Sequence, residues 1–227
     1  IMMAIAGYNL VLFAFVREPS YLFYVAYVTS YSLMQFTMRG LSFQWIWPSA
    51  TGWNECGLFL SLAGSLVFAC LFTIYFLDLK NTQKVFYNIT RLLLFIALIV
   101  LVASAVVSYQ YVIQIIAILV IGGSVVMMGA GITQWSYGNQ AAKIYTIAWG
   151  AFWVGAFMVA LNRFGVIPRT FVSENATQIG ATIEAFLLSL ALAERINSER
   201  RKNYQLQLVA LEHERSAREA NEKALEI

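Results

Sequence analysis

The chain has 227 residues, of which 60% are hydrophobic and only 12% charged, and its formal net charge is +3. A soluble globular domain carries about 25% charged residues. This composition, with a mean hydropathy of +0.68, therefore excludes an ordinary soluble domain and predicts an integral membrane protein. One histidine with Cys56 and Cys70 is too few for a Cys/His metal site, and we expect no metal, no cofactor and no nucleic acid as partners.

Seven apolar segments follow one another along the chain, and most approach the length of about 20 residues that a helix needs to cross a bilayer. They are residues 2–16, 21–38, 56–77, 92–108, 112–133, 144–161 and 176–193. Segments of about ten residues with alternating hydrophobicity, which are typical of membrane β-barrels, do not occur in the sequence. The predicted fold is an all-α membrane protein, a seven-transmembrane helix bundle with a C-terminal coiled-coil extension.

The last apolar segment continues into a charged helical pattern, with no proline after Pro168 and no glycine after Gly180. A heptad register that places Ile196, Asn203 and Ala210 at a positions and Leu206 at a d position gives a weak apolar stripe, in which Asn203 would fix the register. We therefore predict a membrane core at 1–195 and a cytoplasmic helix at 196–227 that pairs with a second copy. A lone charged helix is the alternative.

The distribution of basic residues predicts how the chain is oriented in its membrane, because Lys and Arg accumulate in cytoplasmic loops. A cytoplasmic C-terminus would place nine basic residues inside and three outside. The nine are Arg17, Lys80, Lys84, Arg91, Lys143, Arg195, Arg200, Arg201 and Lys202, and the three are Arg39, Arg163 and Arg169. We expect the N-terminus outside and the C-terminus in the cytoplasm.

Glu184 is the acidic residue that lies well inside an apolar segment. A charge at that depth costs at least about 2.5 kcal/mol, so its side chain should face the bundle interior and be either paired or protonated. The predicted partners are Asn9, Gln35 and Gln114, with Arg163 reaching inward from the end of the sixth segment. Two interpretations stay open, a structural hydrogen-bond hub and a group that senses a ligand or a proton.

The predicted outer loop at 39–55 and the next loop on the same side carry aromatic and cationic side chains. These are Arg39, Trp45, Trp47, Trp53 and Arg169. Tryptophans at this depth are typical of the aromatic belt that anchors a protein at the lipid headgroups. The alternative is an outer cap that contacts a ligand or an extracytoplasmic sensor domain.

Five segments of the chain carry a resemblance to a known family. They read GYNLVLF at 7–13, REPSYLFYVAY at 17–27, RGLSFQWIWP at 39–48, LNRFGVIP at 161–168 and IGATIEAFLLSLALAERIN at 179–197. In their order and spacing they resemble the bacterial seven-transmembrane receptors with diverse intracellular signalling modules. The resemblance covers residues 1 to about 197, which is essentially the whole predicted membrane core.

The resemblance implies a receptor core in the bacterial inner membrane. It would relay an extracytoplasmic or membrane signal, from an unknown small ligand, through the seventh helix and a dimeric coiled coil. The expected receiver is a cytoplasmic output enzyme, a diguanylate cyclase or a histidine kinase, while residues 1–227 are not themselves catalytic. The resemblance implies an extracytoplasmic sensor domain before the chain. Because the helical pattern still continues at Ile227, we expect an output domain after it.

Two other classes of membrane protein fit the sequence less well. A transporter or channel should show paired segments interrupted by glycine or proline and several charges near the bilayer midplane. A retinal photoreceptor needs a lysine inside a helix for the Schiff base, and the seventh segment has none. The transporter or channel is kept as the alternative function.

Overall fold

A computed structural model describes residues 1–49, 53–103 and 109–225 of the chain. All regular secondary structure in these ranges is α-helical, which confirms the predicted all-α fold of membrane type. The helices are α1 (Met2–Val16), α2 (Pro19–Met38), α3 (Leu41–Trp45), α4 (Trp53–Phe76), α5 (Leu79–Thr82), α6 (Lys84–Ala103), α7 (Tyr109–Ser136), α8 (Gln140–Arg163), α9 (Phe171–Glu174) and α10 (Ala176–Leu225).

Five helices in the described ranges are long and apolar enough to cross a membrane. Their candidate spans are Cys56–Phe76, Lys84–Ala103, Gln114–Ser136, Gln140–Arg163 and Ala176–Glu214. Helix α1 is apolar but has only 15 residues, and α2 is less apolar because four tyrosines and several hydroxyl side chains interrupt it. The count of seven spans therefore stays a prediction, and residues 104–108 of the predicted fourth span lie outside the described residues.

The chain reverses direction where its sequence supplies residues that end helices. Arg17 has a φ of 57° and closes α1, and Pro19 then opens α2 at a position where a proline needs no amide hydrogen. Between α2 and α3, Gly40 has a φ of 73°, a conformation that side-chain-bearing residues rarely adopt. These signals hold the first helices in antiparallel order with short connections.

The LNRFGVIP segment forms the turn that leads from α8 towards α9. Asn162 is buried, and its Nδ2 donates to Ser173 Oγ at 3.0 Å and to the Pro168 carbonyl at 3.3 Å. Ser173 and Thr170 form a reciprocal capping box at the start of α9. The segment thus satisfies its own backbone groups, which gives a structural reason for this sequence.

Two compact units make up the chain, Ile1–Leu192 and Ala193–Ile227. In the first unit α8 and α10 approach very closely at Gly155 and Gly180. A Cβ added to Gly180 would lie 2.8 Å from the carbonyl oxygen of Ala151, so only glycine fits there. The small residues on this face of α10 are therefore packing residues.

The second unit consists of helical residues whose side chains are mostly exposed. Asn203, Leu206 and Ala210 are exposed and Ile196 is half-buried, and Leu206 keeps 68% of its surface accessible. Side chains after residue 214 lie outside the described part. The predicted pairing of this helix with a second copy stays a prediction.

Candidate functional site

One face of α2 carries polar side chains at helical spacing. Tyr24, Tyr27, Tyr31 and Gln35 follow one another at intervals of three or four residues, and Arg39 comes four residues later at the end of the helix. Residues with this spacing share one side of a helix. Their hydrogen bonds reach Asn175, Gln178, Glu184 and Ala185, at or just before the first half of α10. We call this set of residues the α2–α10 polar seam.

Glu184 lies in the buried middle of the seam with 1% of its surface exposed. The Tyr27 hydroxyl donates a hydrogen bond to Glu184 Oε1 over 3.0 Å. One turn earlier on α2, the Tyr24 hydroxyl donates to the backbone carbonyl of Ala185. A buried carboxyl group needs such donors because the apolar interior cannot replace its hydration. The two tyrosines therefore fix the position of α10 along α2.

Towards the Arg39 end, the seam continues as a chain of amide groups. Gln35 Nε2 donates to the Tyr31 hydroxyl at 2.9 Å, and Gln178 Nε2 donates to Gln35 Oε1 at 3.3 Å. An Arg39 Nη2 atom then donates to Gln178 Oε1 at 2.6 Å and to Asn175 Oδ1 at 2.7 Å. Both partners are neutral oxygens, so these bonds use two hydrogens of the guanidinium without neutralising its charge.

The predicted partners of Glu184 lie elsewhere, and this part of the prediction was wrong. Asn9 is buried but forms a reciprocal pair with Ser189, at 2.9 and 3.1 Å. Gln35 bonds Tyr31 and Gln178, as described above. Gln114 is exposed, since its side of α7 points away from the bundle interior.

Arg163 is exposed as well and lines a separate cavity of about 200 Å³ together with Arg169 and Glu174. Arg163 lies at the end of α8. Glu184 is eight residues after Ala176, which opens α10, so at a helical rise of 1.5 Å per residue it lies about 12 Å from that end of the helix. That depth explains why the partner comes from the middle of α2 and not from a helix end.

A cavity of about 450 Å³ lies beside the seam, between α2, α4, α7, α8 and the start of α10. Its wall is mainly apolar and aromatic, with Tyr27, Tyr31, Trp149, Phe152, Met34, Met127 and Leu66 among the lining residues. Its polar groups belong mainly to the Arg39 end, and they are Gln35, Arg39, Glu174, Asn175, Thr177 and Gln178. A volume of this size and an apolar wall with few polar groups are typical of small-molecule sites.

Two serines also line the cavity, but their hydroxyls are already used. Ser65 Oγ donates to the Leu62 carbonyl at 2.7 Å, and Ser124 Oγ donates to the Ile121 carbonyl at 2.8 Å. Such bonds within a helix occupy the hydroxyl hydrogens of both serines, so neither serine is a free donor to a ligand. Among the described residues, no group of three or more His, Cys, Asp or Glu side chains could hold a metal ion.

The tryptophans of the 39–55 segment have different environments. Trp45 ends the short helix α3 and is 73% exposed. Trp47 is half-buried against α4, where its Cζ2 lies 2.9 Å from the place that a Cβ on Gly57 would occupy. The side chain of Trp53 lies outside the described part. Arg169 is exposed. Trp47 is therefore a packing residue, and both interpretations of the segment, belt and cap, stay open for Trp45.

The apolar helices, the buried acid and the internal cavity define a multi-pass, all-α membrane protein. Residues 1–195 match the family model described as 7TM diverse intracellular signalling, so the chain belongs to this family, and the predicted resemblance is confirmed. No curated protein and no solved structure matches the chain significantly. Membership means a membrane sensory receptor domain linked to intracellular signalling, and it favours a receptor over a transporter or channel.

Sequence reasoning missed the tyrosines of α2, which carry most of the seam. A signal for them was present, since Tyr24, Tyr27, Tyr31 and Gln35 recur at helical spacing inside one apolar segment. Tyrosine counts as apolar in a hydropathy profile although its hydroxyl must find a partner when it is buried.

Proposed function

We propose that the chain is the core of a bacterial sensory receptor that relays a signal through α10 to a cytoplasmic output enzyme. A diguanylate cyclase or a histidine kinase beyond residue 227 would receive the signal. The observation that carries this proposal is that α10 contains Gln178 and Glu184 of the polar seam and also runs as one helix to Leu225. The same backbone therefore links the seam to the segment that would lead to an output domain.

The seam supports a relay because its bonds are few and specific. Tyr27 to Glu184 and Arg39 to Gln178 are hydrogen bonds between side chains of α2 and α10. A ligand or a neighbouring domain that competes for one of these groups would favour another position of α10 along α2. Switching elements of this kind need two arrangements that differ by only a few kcal/mol.

The described part of the tail supports the second half of the relay, a dimer. On the predicted stripe Leu206 exposes 68% of its surface, and Leu208, Val209 and Leu211 on neighbouring sides of the helix expose between 43% and 55%. Apolar side chains on an otherwise charged helix favour pairing with another helix. A stripe that contains Asn203 and Ala210 gives a helix pair of low stability. A small difference in binding free energy is then enough to shift such a pair between two arrangements.

We further propose that the chain lies in the bacterial inner membrane with its N-terminus outside and its C-terminus in the cytoplasm. The nine-to-three distribution of basic residues supports this orientation. Fusions of alkaline phosphatase and of green fluorescent protein after residue 227 test it. We expect an inactive phosphatase and a fluorescent reporter, whereas the opposite pair of results would reverse the orientation.

Disulfide crosslinking in native membranes tests the dimer. Single cysteines replace Leu206 and Ala210 at the predicted stripe, and Gln205 on the opposite side serves as the matched control, in a background with Cys56→Ser and Cys70→Ala. We expect a crosslinked dimer at 206 and 210 and little at 205. Equal yields at all three positions would contradict the coiled coil.

The relay itself is tested by the same crosslinks in two further variants. Glu184→Gln replaces the carboxyl group of the seam with a neutral amide, and Tyr27→Phe removes the donor to it. If α10 transmits the state of the seam, the ratio of crosslinking at 206 to that at 205 changes in both variants. An exposed substitution, Tyr8→Phe, is the control and should keep the wild-type ratio. A constant ratio in all variants would disprove the relay even if the dimer forms.

A further inference from the structure

The cavity beside the polar seam has the composition of a site for an amphiphile. Its inner wall combines aromatic rings with flexible methionines. The ring of Phe152 packs edge-to-face with Tyr31, at a centroid distance of 6.4 Å, and with Trp149, at 6.1 Å. Methionine side chains adapt to apolar ligands of irregular shape. An apolar body, preferably an aromatic one, would find its partners here.

The Arg39 end of the same cavity has the opposite character. Arg39 donates to two neutral amide oxygens, which leaves three of its five N–H groups available and its positive charge without compensation from those partners. Glu174 also lines this end, but it lies between the 450 Å³ cavity and the 200 Å³ cavity that contains Arg163 and Arg169. Among the described residues that line the two cavities, three arginines stand against one glutamate, which favours an anionic group there.

We propose that the 450 Å³ cavity binds a monoanionic amphiphile, with its acidic head on Arg39 and its apolar body against the ring cluster of Tyr31, Phe152 and Trp149. Arginine is suited to such a head because its planar N–H groups bind a carboxylate or phosphate through paired hydrogen bonds. By drawing the guanidinium towards itself, the head would weaken the bonds that Arg39 donates to Gln178 and Asn175. Because Gln178 belongs to α10, occupancy would loosen the Arg39 end of the polar seam.

This inference deepens the proposed function by naming the chemistry of an input, but it is tested separately. Binding is measured on the chain alone, in nanodiscs of neutral phosphatidylcholine, with radiolabelled phenylbutyrate as the anionic probe. Phenylbutanol, which has the same aromatic body with an uncharged head, is the matched probe. A failure to bind would leave the crosslinking result intact, and a constant crosslinking ratio would leave the binding result intact.

Two kinds of variant test separately how the acidic head and the apolar body of the probe contribute to binding. Arg39→Gln keeps a hydrogen-bonding side chain without the charge, and Arg163→Gln makes the same change in the neighbouring cavity. We expect Arg39→Gln to weaken phenylbutyrate binding by about tenfold, as the loss of a charge-assisted bond does, and to leave phenylbutanol unaffected. Arg163→Gln should change neither. Equal effects of the two substitutions would overturn the assignment of the head to Arg39.

Ala69→Phe and Ser124→Phe fill the cavity from α4 and α7 respectively. Two positions are used so that a variant that does not yield a monodisperse protein can be replaced by the other. Both should abolish the binding of both probes. No saturable binding of phenylbutyrate to the wild-type chain, or unchanged binding in a well-folded filled variant, would disprove the proposal.

The anionic head could belong to a free carboxylate or to the phosphate of a bilayer lipid, and nanodiscs that contain added phosphatidylglycerol distinguish them. A lower apparent affinity of the wild-type chain for phenylbutyrate, absent in Arg39→Gln, would show that an anionic phospholipid occupies the site at Arg39. An unchanged affinity would identify a free amphiphilic acid. Both results retain an anionic head at Arg39.

Discussion

The Tyr27 hydroxyl donates to Glu184 Oε1 over 3.0 Å, and this bond joins α2 to α10 in the buried middle of the bundle. Both side chains are buried, with 7% of Tyr27 and 1% of Glu184 exposed. The bond therefore gives the buried carboxyl group a donor that the apolar interior would otherwise not provide.

We expect Tyr27→Phe to lower the free energy of unfolding by about 1–3 kcal/mol, because the phenyl ring fills the same space but leaves Glu184 without this donor. Thermal or denaturant unfolding in detergent measures the change. Glu184→Gln should lower the free energy of unfolding by less than Tyr27→Phe does, because the glutamine amide oxygen still accepts a hydrogen bond from Tyr27. Tyr8→Phe is the matched control on an exposed tyrosine and should have no effect. A loss as small as that of the control would show that the bond does not contribute to stability.

The close packing of α8 against α10 leads to a second prediction. Gly180→Ala would place a methyl group 2.8 Å from the Ala151 carbonyl oxygen, which belongs to the backbone and cannot rotate away. We expect a loss of about 1–3 kcal/mol from this overpacking. Gly150→Ala on α8 is the control, because an added Cβ there has no neighbour within 4 Å.

The sign of the change in the free energy of unfolding distinguishes these two substitutions. Alanine has the higher helix propensity by about 1 kcal/mol, so Gly150→Ala should be neutral or stabilising, while Gly180→Ala should destabilise. If both substitutions stabilise the protein, α8 and α10 are not in contact at Gly180.

The sequence predicted the helices well because apolar length alone decides most of them. Residues 2–16 were predicted as a span and form α1, and 176 was predicted as the start of the last span and opens α10. Helix α6 instead begins at Lys84, eight residues before the predicted segment at 92–108. Its first two turns include Lys84, Asn88 and Arg91, and such exposed polar turns cannot be read from a hydropathy profile.

The candidate site was predictable only in part. The burial of Glu184 follows from the cost of an unpaired charge in an apolar segment. Its partner does not follow, since the partner depends on which helices become neighbours and in which register. The tyrosine spacing of α2 indicated a polar face, but only the packing of α2 on α10 brings Tyr27 to Glu184.

A third prediction separates the two described tryptophans of the 39–55 segment. Trp47→Ala should cost about 2 kcal/mol, because its half-buried ring packs on α4 at Gly57. Trp45→Ala should change stability in detergent by no more than about 0.5 kcal/mol, since that side chain is 73% exposed. Thermal unfolding of both variants measures the difference. Equal losses would mean that Trp45 packs as firmly as Trp47, which its exposure contradicts.

The final prediction concerns the pair that ties α1 to α10. Asn9 Nδ2 donates to Ser189 Oγ at 2.9 Å, and the serine hydroxyl lies 3.1 Å from Asn9 Oδ1, so the two side chains satisfy each other. A double-mutant cycle of Asn9→Ala and Ser189→Ala should give a coupling energy of about 0.6 kcal/mol or more, the usual size for hydrogen bonds between membrane helices. Unfolding in mixed detergent micelles measures the four stabilities.

A second cycle provides the control for that coupling. Thr182 lies two turns before Ser189 on α10, but its hydroxyl donates to the Gln178 carbonyl of its own helix at 2.8 Å. Asn9→Ala combined with Thr182→Ala should therefore be additive, because the two side chains share no bond. Equal coupling in the two cycles would mean that the effect comes from a general loosening of α1. Coupling confined to Asn9 and Ser189 would show that α1 is tied to α10 one turn beyond Glu184, so that a movement of α10 along α2 must also displace α1 or break this pair.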